Sequence, residues 1–413
     1  MKKIYLLLYL TLHAGIAFAQ DAGLPVYGCT DPLSATYNPN ASVNDGSCTY
    51  ASATVTPSYS VALPQTIDET SGLVLWGGAL YTHNDDTDTN LYRISPVTGS
   101  TDQTLSLPGT INQDWEDIDQ DNNYIYVGDF GNNATGNRAN LRILRIAKSG
   151  LIAGTPVPET ISFSYPDQPN LNATGANNTD FDCEAMVVSS DYIYLFTKQW
   201  VSRRTSVYRL PKTPGAHTAT LMSTYNVNGL ITGATYIQDA RILALCGYTT
   251  TLSPFIYLMY DFQGDNFFGG NKRRLAFQGN FLQIEGIASE DGLNYYISNE
   301  HFSRAGLINV PARVYTVDLG PYLQQYLGNE AQKDSFGNGL VIAPVPGSYK
   351  VILKSPDRFI GSTYTIVDEM GKIVGQGYID GPQTEIDISS FAVGTYAVRV
   401  TGKANGNVRL IKE

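Results

Sequence analysis

The chain has 413 residues, a net charge of −11 and few charged side chains, with 39 Gly and 28 Tyr. The acidic balance argues against nucleic acid and anionic membrane surfaces as partners. Abundant Tyr, Gly, Thr and Asn point to β structure with many turns.

The first residues read Met1-Lys2-Lys3, then an apolar run from Ile4 to Leu12, then Ala17-Phe18-Ala19. A short basic region, an apolar core and an A-x-A site make residues 1–19 a removable export signal. The run is too short for a membrane anchor, and no later apolar stretch reaches the length needed to span a bilayer. Cleavage before Gln20 would leave about 390 residues, room for two or three domains.

Residues 20–52 form a small segment bracketed by Cys29 and Cys48. It cannot bury a core and needs a staple, so a Cys29–Cys48 disulfide is expected in an oxidising compartment. Asp31, Asn38, Asn40, Asn44 and Asp45 supply dense oxygen donors. Such donors suit a hard cation such as Ca²⁺ and equally suit plain turn-making, so Asp31 and Asp45 are candidate ligands. The pattern from Tyr27 to Tyr50 resembles a Cys-bracketed repeat of secreted Bacteroidota proteins, with Asn44 where the repeat often has Asp. The repeat implies no activity.

Between residues 53 and 320 one phrase recurs. Glu69-Thr-Ser-Gly72-Leu73, Trp115-Glu116-Asp117-Ile118, Cys183-Glu184-Ala185-Met186 and Ile284-Glu285-Gly286-Ile287 each precede two or three short alternating strands. A copy without the acid starts at Thr232. A period of about 40–50 residues with short strands and polar turns predicts a β-propeller. The repeats give an all-β fold of five blades, or six if 147–180 hides another; a β-sandwich is the alternative. The strand Ser58–Leu63 is expected to complete the last blade, removing an exposed edge. Cys183 and Cys246 lie on separate strands and are either buried apolar residues or a second bridge.

The first strand of each blade lines a propeller's channel, which sets Glu69, Glu116, Glu184 and Glu285 around one axis. Four facing carboxylates would repel, and a bound Ca²⁺, shared protons or local turn-capping would relieve them. His83, Asn84, Asp85, Asp129, Asn132, Lys198, Asn299 and Glu300 follow the second strands and make a candidate ligand rim, with Arg138, Arg203 and Arg204 as further contacts. The motifs E-x-S-G-L, W-E-D-I, G-D-x-G-N-N, E-A with L-F-T-K, and I-E-G-I-A resemble the phytase-like and SdiA-regulated propellers. That resemblance specifies a propeller subgroup and no reaction, since the full acidic set and basic phosphate pocket of the phytases are missing. The chain carries no P-loop, G-x-S-x-G or H-E-x-x-H signature.

Residues 321–340 read as a polar linker. Strands are then expected at Tyr349–Leu353, Tyr364–Asp368, Ile373–Gly377, Glu385–Ile388 and Gly394–Val400, a small β-sandwich over 341–413. Tyr364-Thr-Ile-Val-Asp368, Gly371-Lys372, Ile386-Asp-Ile-Ser-Ser-Phe391, Gly394-Thr-Tyr396 and Arg409-Leu-Ile-Lys412 resemble the type A C-terminal sorting domain of the type IX secretion system. The resemblance implies that machinery as a partner, and a secreted or outer-membrane-surface address. Two functional classes are expected: a protein binding an extracellular ligand, or a calcium-dependent phosphoesterase or esterase using Glu116, Asp117, Glu184 and Glu285.

Overall fold

A computed structural model describes residues 25–86, 88–304, 306–327, 340–343, 347–355, 359–368, 372–402 and 406–412. The export signal expected at 1–19 lies outside them.

Five sheets of four antiparallel strands follow one another along residues 59–318. Sheet one runs Thr70–Trp76, Ala79–Asn84, Asn90–Ile94 and Thr101–Ser106. Sheet two runs Trp115–Gln120, Tyr124–Asp129, Arg142–Ala147 and Glu159–Ser164, and Gly215–Thr218 adds a parallel outer strand. Sheet three runs Asp182–Val188, Tyr192–Lys198, Thr205–Pro211 and Thr220–Tyr225. Sheet four runs Leu230–Ile237, Ile242–Tyr248, Pro254–Tyr260 and Asn271–Phe277, with Thr54–Val55 on its outer edge.

Sheet five takes three strands from the end of this region: Ile284–Ala288, Asn294–Asn299 and Arg313–Asp318. Its fourth, Tyr59–Ala62, comes from the beginning, with Val314 opposite Val61. The first strands of the five sheets pack against one another in a closed cycle, sheet five returning to sheet one. Residues 147–180 add no further sheet; they supply the helix Lys148–Ile152, the last strand of sheet two and a loop.

Alternation along each strand buries apolar side chains between neighbouring sheets. Tyr126, Ile143 and Phe163 of sheet two pack with Met186, Leu195 and Tyr208 of sheet three. Val187, Phe196 and Val207 of sheet three pack in turn with Leu243, Tyr257 and Met259 of sheet four. Cys183 and Cys246 are free thiols, fully buried, Cys183 between sheets two and three and Cys246 between sheets four and five.

Two segments depart from expectation. The linker expected over 321–340 begins as a helix over 320–327. Leu323 and Tyr326 bury against the cluster between sheets four and five, and Tyr326 Oη donates to Ala240 O. Of the polar residues that suggested a connector, Gln324 and Gln325 are exposed on this helix, and 328–339 lie outside the described residues. The Cys29–Cys48 disulfide is present. The segment it closes is docked on sheet four: Asn44 Nδ2 donates to Asp261 Oδ2 and Asn271 Oδ1, and Thr30 bonds Asp261.

The C-terminal region has a three-stranded sheet of Val341–Ala343, Lys350–Lys354 and Gln383–Asp387. A four-stranded sheet of Ile373–Tyr378, Thr363–Val367, Gly394–Thr401 and Gly406–Lys412 accompanies it. Val351, Leu353 and Ile386 from the first share a core with Ile366, Val398 and Leu410 from the second.

Candidate functional site

A recurrent bulge builds the site. At the inner end of each sheet a fixed pair closes the hairpin: Thr70 with Asn84, Trp115 with Asp129, Cys183 with Thr197, Ile231 with Gly247 and Ile284 with Asn299. In sheets two to five the next first-strand residue is skipped, and pairing resumes at Asp117, Ala185, Gly233 and Gly286. A bulge of this kind re-aims a side chain. The skipped residues are Glu116, Glu184, Thr232 and Glu285, and the same count from Thr70 puts Ser71 in that place in sheet one.

This corrects the expected ring of four acids. Glu69 is not the counterpart of Glu116; it stands two residues before Ser71, as Asp114 and Asp182 stand before Glu116 and Glu184. A third set of counterparts ends or directly follows the second strands: Asp85, Phe130, Lys198, Tyr248 and Glu300. The three sets together bring eight carboxyl groups to one end of the channel with a single lysine. Asp114 and Asp182 were not among the expected site residues. The repeated two-residue offset before each bulge position is the signal that would have found them.

Small residues follow the bulge because the axis is crowded. A Cβ at Gly72 would press on Asp117 and Ile118 N, and one at Gly233 on the Glu285 carbonyl. Gly72 also has φ +30°, which disfavours any side chain. Asp117 alone brings a large polar group there. Its Oδ1 accepts from Ile118 N at 2.8 Å and its Oδ2 from Met186 N at 2.7 Å, tying sheet two to sheet three. Ser71 Oγ donates to Glu116 O and Thr232 Oγ1 to Ile284 O, both at 2.5 Å, so the bulge positions without acids also bind the next sheet.

Two clusters place carboxylate oxygens within 4.8 Å of one another: Glu69, Asp85 and Glu300, half-buried, and Glu116, Asp182 and Glu184, buried. Lys198 Nζ lies 2.6 Å from Glu184 Oε2. Burial dominates the electrostatics. It pushes Glu116 and Glu300 well above the usual carboxylate range, with neighbouring carboxylates adding to it. It raises Asp85 to about 8, Glu285 to about 7 and Asp114 to about 6. Burial also works against the Lys198 charge, but the surrounding acids, Glu184 first, hold its pKa well above the ordinary value. Lys198 is therefore a cation. Among the described residues, three carboxylate oxygens, Asp85 Oδ1, Glu184 Oε1 and Glu285 Oε2, are buried with no hydrogen-bond partner.

Other expected site residues have structural roles. Asp129 is fully buried and paired with Arg138 and Arg142. Asn132 accepts from Arg138 N and donates to Phe181 O. His83 is buried edge-on to Trp115 with Nδ1 against Asn84 O, and burial lowers its pKa to about 4. Asn84 donates to Thr66 O and Asp88, and Asn299 to Glu300 O and Pro311 O.

Asp31 and Asp45 join no carboxylate cluster among the described residues. Asp31 Oδ2 accepts from Tyr50 Oη at 2.7 Å and Tyr260 Oη at 2.6 Å, and its Oδ1 accepts from Leu33 N. Asp45 caps the turn at Ser47 N. The oxygen-rich segment is a docked, turn-rich loop.

No curated protein matches the chain. Similar solved structures include the PQQ-bound aldose sugar dehydrogenase of Streptomyces coelicolor, at 10% identity and TM-score 0.40, covering 64% of this chain and 98% of that one. A glucose dehydrogenase-type oxidoreductase of Thermus thermophilus has 10% identity and TM-score 0.35, covering 63% and 99%. PorZ of Porphyromonas gingivalis, a surface component of the type IX secretion system, has 13% identity and TM-score 0.28, covering 83% of this chain and 45% of PorZ. Likenesses this loose bring neither activity nor cofactor to this chain. The tail is different: residues 341–413 match the secretion system C-terminal sorting domain, the export tail of the type IX system, which addresses the protein to secretion or the cell surface.

Proposed function

We propose that the protein is an exported five-bladed β-propeller with a β-sandwich sorting tail. Its acidic mouth takes a divalent cation, Ca²⁺ by its donor chemistry, and through it an extracellular ligand. One observation carries the cation reading: three carboxylate oxygens at the mouth are buried without any donor, among eight acids served by one lysine. A buried polar atom without a partner costs about 1–3 kcal/mol, more when charged. A hard cation offsets several such atoms at once, and carboxylate oxygens are its usual ligands. The ligand reading rests on the loops. The mouth end carries the longest connections, 130–141, 165–181 and 300–312, whereas those at the opposite end, from the turn 77–78 to 148–158 and 261–270, are shorter. Binding sites gather on loops held by a rigid frame. The hydrolase reading has no such support, because Lys198 is a locked cation and His83 is buried against Trp115.

Calorimetric titration of the metal-stripped protein with CaCl₂ tests the cation. A dissociation constant below about 1 mM, the range of extracellular calcium modules, is expected. Absence of heat at millimolar Ca²⁺ overturns the reading.

A further inference from the structure

The two halves of the mouth differ in one respect. In the half built by sheets two and three, Glu184 of the Glu116, Asp182 and Glu184 cluster pairs with a cation that the chain itself provides. Lys198 is 3% exposed, with its ammonium 2.6 Å from Glu184 Oε2. The same ammonium lies 4.8 Å from the ring centre of Trp200 and 5.2 Å from that of Tyr248. Trp200 is fixed by its indole N–H, which donates to Asp182 Oδ2 at 2.8 Å. Carboxylates on one side and two aromatic faces on the others make a box for an ammonium ion. Its tenant is covalently attached.

The half built by sheets one and five has acids and no such tenant. Glu69, Asp85 and Glu300 bring oxygens within 4.8 Å of one another without a basic residue in the group. His301, the base that acts on Glu69, has its ring bonded to Asn309. Gln283 Nε2 donates to Glu300 Oε1 and so satisfies one oxygen. Asp85 Oδ1 is buried with no partner. Glu285, 5% exposed, adds an orphaned Oε2, and its charge is the strongest felt by Glu300. Glu285 feels the Lys198 charge from across the mouth, whereas no base acts on Asp85 and no donor reaches its Oδ1 among the described residues.

We propose that Lys198 is the resident cation of one half of the mouth, so that an external divalent cation binds only at Glu69, Asp85 and Glu300, with Glu285 beside them. This rests on the reading of the mouth as a cation site and specifies where, and how many, ions it holds. A second metal ion next to the Lys198 ammonium would meet a like charge a few ångströms away in a poorly solvated site. The three-acid half is partly exposed, which leaves coordination positions open to water or to an anionic ligand group.

The test is calcium stoichiometry and affinity by calorimetry on the full-length protein and four variants. Folding of each is checked by circular dichroism and thermal melting. Wild type is expected to bind one equivalent. Glu300→Gln and Asp85→Asn each weaken binding at least tenfold, whereas Glu116→Gln leaves it within about twofold. Lys198→Met vacates the box and raises the stoichiometry to two. If Glu116→Gln abolishes binding while Glu300→Gln keeps it, the assignment of the halves is wrong. A folded Lys198→Met protein that still binds one ion overturns the role of the lysine. Should Lys198→Met fail to fold, the contrast between Glu300→Gln and Glu116→Gln decides alone. A wild type that binds no ion at all sinks the cation reading of the mouth, a result distinct from either of these.

Discussion

Asp117 shows how one side chain can hold an axis. Its four counterparts are Gly72, Ala185, Gly233 and Gly286, and it alone fills the crowded centre, accepting backbone N–H groups from its own sheet and the next. Two residues on, Asp119 Oδ2 accepts from Val188 N at 2.6 Å. Desolvation outweighs that bond and its neighbours and raises the Asp119 pKa to about 7. Between about pH 4 and 7 the folded protein then holds a proton that the unfolded chain releases, so this group's contribution falls as pH rises through that window. Asp119→Asn keeps an acceptor for Val188 and cannot ionise. The variant is expected to melt a few degrees above wild type at pH 8 and to match it near pH 4. Parallel melting curves across that range would refute the assignment. The sequence showed Glu116, Glu184 and Glu285 as recurrent acids, because the residues beside them repeat. It misplaced Glu69, which stands two residues ahead of the bulge position, because only the ladder reveals which residue is skipped. Asp129 looked like a rim residue because the sequence does not show that Arg138 and Arg142 converge on it.

At the scale of elements, most strands were legible from alternation and turn residues. The helix over 320–327 was not. Its apolar positions Leu323 and Tyr326 are too few for a periodic signal, and their burial depends on a surface made by sheets four and five. The Cys-bracketed segment is instructive in the same way. Its disulfide was readable from spacing, but its docking was not, since the partners Tyr260, Asp261 and Asn271 lie more than 200 residues away. Asn44 donates to Asp261 and Asn271, so the amide is required where related repeats carry an acid. Asn44→Asp would bring a carboxylate to Asp261 and lose both donated bonds. A cost of about 1–3 kcal/mol in docking is expected. Limited proteolysis between residues 50 and 57 should accelerate while the remaining fragment keeps its melting temperature. Equal cleavage rates for the two proteins would contradict this account.

The whole molecule separates an address from a task. The sorting tail was recognisable because its motifs are local and ordered, whereas the mouth is assembled from five distant places in the chain. Deleting 341–413 is expected to leave the protein in the periplasm, with the remaining protein still folded and still binding Ca²⁺. Surface delivery of that truncation, followed by immunoblotting of intact and fractionated cells, would overturn the role given to the tail. The closure of sheet five carries a further consequence, one of timing. Tyr59–Ala62 finds its partner in Arg313–Asp318, about 250 residues later in the chain. A chain emerging from its N-terminus makes that strand early and must wait for the latest one before the circle can shut. Every shorter intermediate leaves Tyr59–Ala62 without its partner strand, so closure of the ring waits on the last strand to arrive.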